Sequence, residues 1–247
     1  MREVQFIGRT ISVPEVADEM GGKQYEAMLV AQLTRDPAQV RALVAKAAMG
    51  LRVVPSLYLT ATDADMATAD EVAAMFCDES GRVRLSPLRN LIPVHGEWRA
   101  KAGDMLNGMT FGDFMTVMGI LRQLDGEDGQ EAEEMVEALV RAMYDGPKER
   151  KPSALLALHC FTFFNSVWTH LTTTPVKVDG EDICYTILFQ GGGGGRYGDD
   201  HLGWNGIRLE VAKGGVFGTV RDVDGTPLWD VLTWLYKCRK EYNRMKK

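Results

Sequence analysis

Apolar residues recur at helical spacing along most of the chain, and this pattern predicts a mainly α fold. The pattern is clearest after Thr110, a cap residue that is followed three positions later by an acid, Asp113. This spacing is typical of a helix N-terminus. The buried stripe predicted for the helix consists of Phe114, Val117, Met118 and Leu121. The helices that the pattern supports best span residues 110–124, 130–144, 152–171 and 227–243.

Two regions of the chain predict a smaller amount of β structure. Residues 4–7 and 10–13 flank a Gly-Arg pair, which favours two short N-terminal strands. Apolar runs also flank Asp179-Gly180, and Asp-Gly between such runs is a strong hairpin signal. We therefore expect a compact helical domain with short N-terminal strands and a small C-terminal β-hairpin near residues 176–189.

A length of 247 residues suits one large domain or two modest ones. We expect a single compact unit over residues 1–247. The break at Gly146-Pro147 also allows a subdivision. It would separate an N-terminal helical part, 1–146, from a C-terminal part, 147–247, that holds the most apolar helix, the hairpin and the terminal helix.

The formal net charge of −6 gives the chain no general attraction to nucleic acid. The charge is unevenly placed, because residues 125–137 hold seven acids and no base, whereas residues 237–247 hold six bases and one acid. The helix dipole favours acids near a helix N-terminus and bases near a C-terminus. We favour this explanation of the charge pattern over a nucleic-acid-binding patch. Opposite charge in two segments also suits head-to-tail association of identical subunits.

The sequence predicts a cytoplasmic protein with no membrane partner. Its four cysteines are spread singly, without the CxxC pair of a zinc ribbon or a thioredoxin-like motif. The first residues lack the apolar core of a signal peptide. The densest apolar stretch, at 154–164, is about half as long as a membrane span.

A glycine run and the polar cluster behind it are the candidate binding features. Residues 191–195 are five consecutive glycines, which favour a loop over a phosphate cradle, because no GK[ST] follows them. The candidate metal ligands are Asp199, Asp200 and His201, with Asp222 and Asp224 as further oxygen donors. Their spacing matches neither a calcium loop nor a zinc helix, so a solvated acidic turn is favoured and no cofactor is expected.

The sequence contains no evident catalytic constellation, so we expect a protein that is not an enzyme. His159-Cys160 places an imidazole beside a thiol, but adjacent helical residues point about 100° apart, and both are expected to pack in the core. The alternative is a ligand- or metal-binding protein, or an enzyme, that uses residues 191–201 as a lid over a pocket.

Several segments resemble proteins encoded in the tail-gene clusters of Bacteroidetes phages and prophages. Thr110-Phe111-Gly112-Asp113-Phe114 and residues 139–144 are similar to a helix pair of phage tail assembly chaperone-like proteins. In that group a Thr caps one helix, and its aromatic residue packs against the second. The start of the chain and residues 164–168 and 228–232 resemble the same proteins, so the likeness covers about a third of the chain in pieces.

The resemblance implies a non-enzymatic tail-associated or tail-assembly protein that acts through protein–protein contacts. Its implied partners are other tail components, such as the tape-measure protein, or further copies of the chain. Its implied location is the host cytoplasm or the virion. Because aromatic and Arg side chains dominate interface energetics, the expected contact residues are Arg196, Tyr197 and Trp204.

Overall fold

The structure is a computed structural model that describes residues 1–51, 60–124, 129–178, 180–189 and 204–245. These residues are mainly helical, with small antiparallel sheets. In the described part of the chain, no helix is long and apolar enough to cross a membrane.

The chain divides into two compact units, each made of two stretches of sequence. The first unit consists of Met1–Ile92 with Ser153–Phe163, and the second of Pro93–Pro152 with Phe164–Lys247. The subdivision that the sequence allows, 1–146 and 147–247, would instead divide the chain at a single point, so that each part is one stretch of sequence.

The first unit begins with the hairpin of β1 (Arg2–Phe6) and β2 (Arg9–Val13), which pair antiparallel. Its turn places Ile7 and Gly8 in the left-handed region, at φ 49° and 69°. Positive φ at two successive residues is typical of a type I′ turn, whose twist matches that of the two strands it joins. The Ile7 N–H donates to Asp65 Oδ1 at 2.6 Å, which anchors the turn to the third helix.

The described residues of this unit also form α1 (Gly22–Ala31), α2 (Pro37–Ala48) and α3 (Asp63–Phe76), and the stretch Ser153–Phe163 from later in the chain joins them. Helix α1 packs against α2, α2 against α3, and α3 against β1. Helix α2 begins where the sequence predicts, because Asp36 caps it by accepting the Ala38 N–H at 3.0 Å and proline stands at its first position.

The second unit begins with a three-stranded antiparallel sheet of β3 (Val94–His95), β4 (Trp98–Ala100) and β5 (Tyr144–Asp145). The sequence predicts helix as far as 144, but Tyr144 pairs with Ala100. The helix pair of α4 (Phe111–Gln123) and α5 (Gly129–Met143) is confirmed. So is α6 (Ala154–Thr173), whose residues up to Phe163 belong to the first unit.

The C-terminal part contains β6 (Val176–Val178), β7 (Glu181–Ile183), α7 (Thr186–Phe189), α8 (Trp204–Lys213), α9 (Val220–Gly225) and α10 (Leu228–Met245). The hairpin predicted near residues 176–189 is not confirmed in that form. β6 and β7 do pair, but Thr186–Phe189 is helical. Tyr185 decides this, because its side chain is fully buried and its hydroxyl hydrogen-bonds to Thr233 Oγ1 at 3.0 Å.

The core of the second unit brings together segments that are distant in sequence. The Phe114 ring on α4 lies 5.6 Å from the Phe164 ring and 5.9 Å from the Trp168 ring, both on α6. The start of α10 is tied to the start of α4, because Leu228 N–H donates to Met109 O at 2.9 Å. The Trp229 indole also donates to a backbone carbonyl in the segment before α4, that of Met105, at 3.2 Å.

Candidate functional site

Helix α4 has one face in the core and another that lines a cleft. Its buried residues are Phe111, Phe114, Val117 and Met118. Leu121, which was predicted in this stripe, is only half-buried, so the stripe lies one turn nearer the N-terminus than the sequence suggests. The residues at i, i+3, i+4, i+7 and i+10 from Gly112 line the cleft: Gly112, Met115, Thr116, Gly119 and Arg122.

The cleft has a volume of about 490 Å³ and is completed by Asn205 and Arg208 on α8 and Asp224 on α9. Gly112 lets α9 approach closely, since a Cβ at this position would lie 3.0 Å from both the Cβ and the carbonyl oxygen of Asp224. Two turns further along the same face, Gly119 has no atom of another described element within 4 Å of the place a Cβ would take, so it faces open space among the described residues.

An ion pair forms the wall of the cleft opposite α4. Arg208 Nη2 donates to Asp224 Oδ2. Two further polar atoms of the pair, Arg208 Nε and Asp224 Oδ1, are buried and have no hydrogen-bond partner among the described residues. The pair leaves the cleft with one further cation, Arg122, which joins no ion pair within the described ranges. The lining therefore combines an unbalanced positive charge with the apolar side chains of Met115 and Met118.

Such a lining is suited to binding a polypeptide. Methionine and arginine are enriched at protein interfaces. Methionine side chains are flexible and polarizable, so they adapt to partner side chains of different shapes. An arginine without a partner offers several donors to a carboxylate. The cleft can therefore hold a segment with apolar side chains and an acidic residue.

The residues expected from the sequence as contact or metal residues fall largely outside the described part. Arg196 and Tyr197, like Asp199, Asp200 and His201, lie in the undescribed range 190–203. Trp204 is the first residue of α8, and its side chain is not described.

The two further oxygen donors considered for a metal, Asp222 and Asp224, have other partners. The Asp222 carboxylate completes the capping box of α9, whose cap is Thr219, by accepting the Thr219 hydroxyl at 2.7 Å and the Thr219 N–H at 2.8 Å. These hydrogen bonds lower the pKa of Asp222. Asp224 pairs with Arg208. Across the described ranges, no three His, Cys, Asp or Glu side chains come close enough to hold a metal ion.

A second polar cluster lies in the core of the first unit, around His159. This side chain is fully buried, and burial lowers its pKa to about 3, so the imidazole is neutral. Its Nε2–H donates to Asn90 Oδ1 at 3.2 Å, and its Nδ1 accepts the Tyr25 hydroxyl at 3.1 Å. The ring stacks on Phe163 with centroids 5.6 Å apart.

This cluster is a structural network. Burial raises the pKa of the neighbouring Cys160 thiol, so the thiol stays protonated beside a neutral imidazole. That combination is not the thiolate–imidazolium pair of a cysteine nucleophile. The hydrogen bonds of His159, a residue of α6, link this helix to α1 and to the segment around Asn90. The sequence pattern does not indicate these links.

The cleft was not predicted from the sequence. Its walls come from three helices, and Arg208 and Asp224 carry no local motif. The one sequence signal was the pair Gly112 and Gly119, seven residues apart on the exposed side of an otherwise apolar helix. Small residues at this spacing leave a groove along a helix.

The chain was compared with protein-family models, curated proteins and solved structures, and none of them matches it.

Proposed function

We propose that this chain is a non-enzymatic phage or prophage tail protein that acts through protein–protein contacts, either in tail assembly or within the tail. The observation that carries the proposal is the convergence of three segments that resemble proteins of phage and prophage tail-gene clusters. Residues 110–114, 164–168 and 228–232 meet in the core of the second unit, through Phe114 and through the backbone at Met109 and Leu228.

The convergence supports the proposal because these three likenesses fall within one packed core. The likeness at the start of the chain lies in the first unit. The resemblance also implies that a Thr caps the first helix of a pair. Thr110 does this by accepting the Asp113 N–H at 3.1 Å, and α4 packs against α5. The segments therefore form one structural module.

The contact surface that we assign to this module is the cleft of α4, α8 and α9. Its proposed occupant is a segment of another tail component, with apolar side chains against Met115 and Met118 and a carboxylate facing Arg122. Charge complementarity favours an acidic residue in this segment, because Asp224 already neutralises Arg208.

The experiment is affinity purification of the tagged chain from phage-producing cells, with the bound proteins identified by mass spectrometry. The blocked variant is Gly119→Leu, which places an apolar side chain in the cleft where the structure has open space. The matched control is Gln123→Leu, which adds the same side chain to an exposed position of α4 outside the cleft.

The proposal expects tail proteins bound to the wild type and to Gln123→Leu, and lost from Gly119→Leu. Recovery of no tail protein by the wild type would overturn the proposed function. Equal recovery by all three forms would leave the tail association in place and overturn the assignment of the cleft.

A second candidate function is a small-ligand-binding protein. Its supporting observation is the cleft volume of about 490 Å³, which falls within the range of known ligand sites. A ligand at a hundred times its dissociation constant would stabilise the fold by about 2.7 kcal/mol, so a thermal-shift screen of metals, nucleotides and small acids would detect it. Shifts that Gly119→Leu abolishes would favour this function over the first.

A further inference from the structure

The outer half of α10 is a basic segment that no other described part of the chain covers. Leu235 is the last buried residue of this helix, and no side chain from Tyr236 to Met245 is buried. Lys237, Lys240 and Arg244 lie at i, i+3 and i+7, on the side opposite the buried residues Val231 and Leu232. We call these three residues the basic stripe. Within the described ranges, none of them takes part in an ion pair.

The first half of α5 is the acidic counterpart. No side chain from Gln130 to Ala138 is buried, and the buried residues of the helix all follow, from Leu139 onwards. The glutamates at i, i+3 and i+6 of this half, here called the acidic face, are Glu131, Glu134 and Glu137. Glu133 points to the side of the helix away from Glu131. Glu133 and Glu137 have basic partners, Lys151 at 3.5 Å and Arg141 at 2.6 Å. Glu131 and Glu134 join no ion pair in the described part of the chain.

The helix dipole explains only part of this pattern. Its influence is confined to the first and last turns of a helix. Lys237 lies two turns before the described end of α10 at Met245, and Glu137 lies two turns after the start of α5 at Gly129. Charges at these inner positions gain little from the dipole of their own helix.

The two surfaces match in length as well as in sign. At 1.5 Å of rise per residue, the basic stripe spans about 10 Å and the acidic face about 9 Å. A second copy of the chain can therefore place its basic stripe along the acidic face of the first, with three cations opposite the carboxylates of Glu131, Glu134 and Glu137. Tyr236, whose ring lies 5.5 Å from Lys240 Nζ, would supply apolar contact beside the charges.

We propose that this chain self-associates head to tail, with the basic stripe of one copy on the acidic face of the next. The two surfaces differ, so the contact is heterologous, and each added copy presents a fresh surface at either end. Such a contact builds rings or filaments. The inference does not rest on the proposed tail function, although both involve protein–protein contacts.

The first measurement is the solution mass of the full chain by light scattering behind size exclusion, over a range of protein concentrations. At about 50 mM salt we expect a mass that exceeds 27.4 kDa and rises with concentration. At about 500 mM salt, screening of exposed charges should return the mass to that of the monomer. A monomer at every concentration in low salt would overturn the proposal.

Two neutralised variants test which surfaces are in contact. One carries Lys237→Gln, Lys240→Gln and Arg244→Gln, and the other carries Glu131→Gln, Glu134→Gln and Glu137→Gln. Each should be monomeric alone, because it lacks one of the two surfaces. Mixed at equal amounts they should form a dimer of twice 27.4 kDa that grows no further, since only one intact contact can form.

The matched control for the basic-stripe variant lowers the net charge by the same amount at exposed sites of the first unit, with Arg9→Gln, Lys23→Gln and Arg35→Gln. It should associate like the wild type, and circular dichroism confirms that all variants are folded. Loss of association in the control, or growth of the mixture beyond a dimer, would contradict the assigned surfaces. Binding of a DNA duplex that competes with association, and is lost in the basic-stripe variant alone, would assign that stripe to nucleic acid instead.

Discussion

Met109 and Leu228 are joined by a backbone hydrogen bond, in which the Leu228 N–H donates to the Met109 carbonyl at 2.9 Å. The neighbouring bond runs the other way, from the Phe111 N–H to Thr226 O at 2.8 Å. Together they form a small antiparallel bridge that places the first turn of α10 beside the first turn of α4. The start of α4 is therefore tied by its backbone to the start of the terminal helix.

Thr110 lies inside this bridge and caps α4, so its removal should destabilise the second unit. For Thr110→Ala we expect the free energy of unfolding to fall by about 1 kcal/mol, the usual effect of losing an N-cap. Urea denaturation followed by circular dichroism measures it. Thr116→Ala is the control, because its hydroxyl only donates to the Gly112 carbonyl within the helix. Equal stability of Thr110→Ala and the wild type would contradict the role of the cap.

The two glycines of the cleft should respond to alanine in opposite ways. Gly119→Ala places a methyl group in open space and should stabilise the helix by about 0.5–1 kcal/mol. Gly112→Ala should destabilise, because its Cβ would lie 3.0 Å from the Asp224 backbone oxygen and push α9 away from α4. Thermal unfolding of both variants checks this. Destabilisation by Gly119→Ala would show that this side of α4 is not open.

His159 should make the stability of the first unit depend on pH. Its pKa of about 3 in the folded chain lies below the ordinary value of 6.5, so the unfolded chain binds the proton more readily. Stability is then complete above about pH 6.5 and is lost as the pH falls, by about 2 kcal/mol between pH 7 and pH 5. His159→Gln, which does not titrate, should lose less over the same interval. Urea midpoints at the two pH values compare them, and equal losses would contradict burial of His159.

The sequence predicts most of the helices, because their apolar period is regular and their ends carry local signals. Helices α2 and α4 begin where Asp36 and Thr110 place them. The extent of the hairpin was wrong beyond Ile183, since the burial of Tyr185 and its bond to Thr233 outweigh the β-favouring run. No local pattern marks the strands β3 to β5, which have only two or three residues each.

The candidate site was less predictable than the fold. The sequence predicts Arg196 and Tyr197 as contact residues because Arg and aromatic side chains are common at interfaces, and both residues lie outside the described part of the chain. The cleft instead depends on Arg208 and Asp224 meeting across two helices, and on Gly112 permitting that approach. Such a relationship arises from tertiary packing, which a single sequence does not display.

The most direct test of the proposed function is electron microscopy of particles from a phage or induced prophage that encodes this chain, after deletion of its gene. We expect particles without tails or with malformed tails, restored by the wild-type gene and not by Gly119→Leu. Tails of normal form and number after the deletion would contradict a role of this chain in the phage tail.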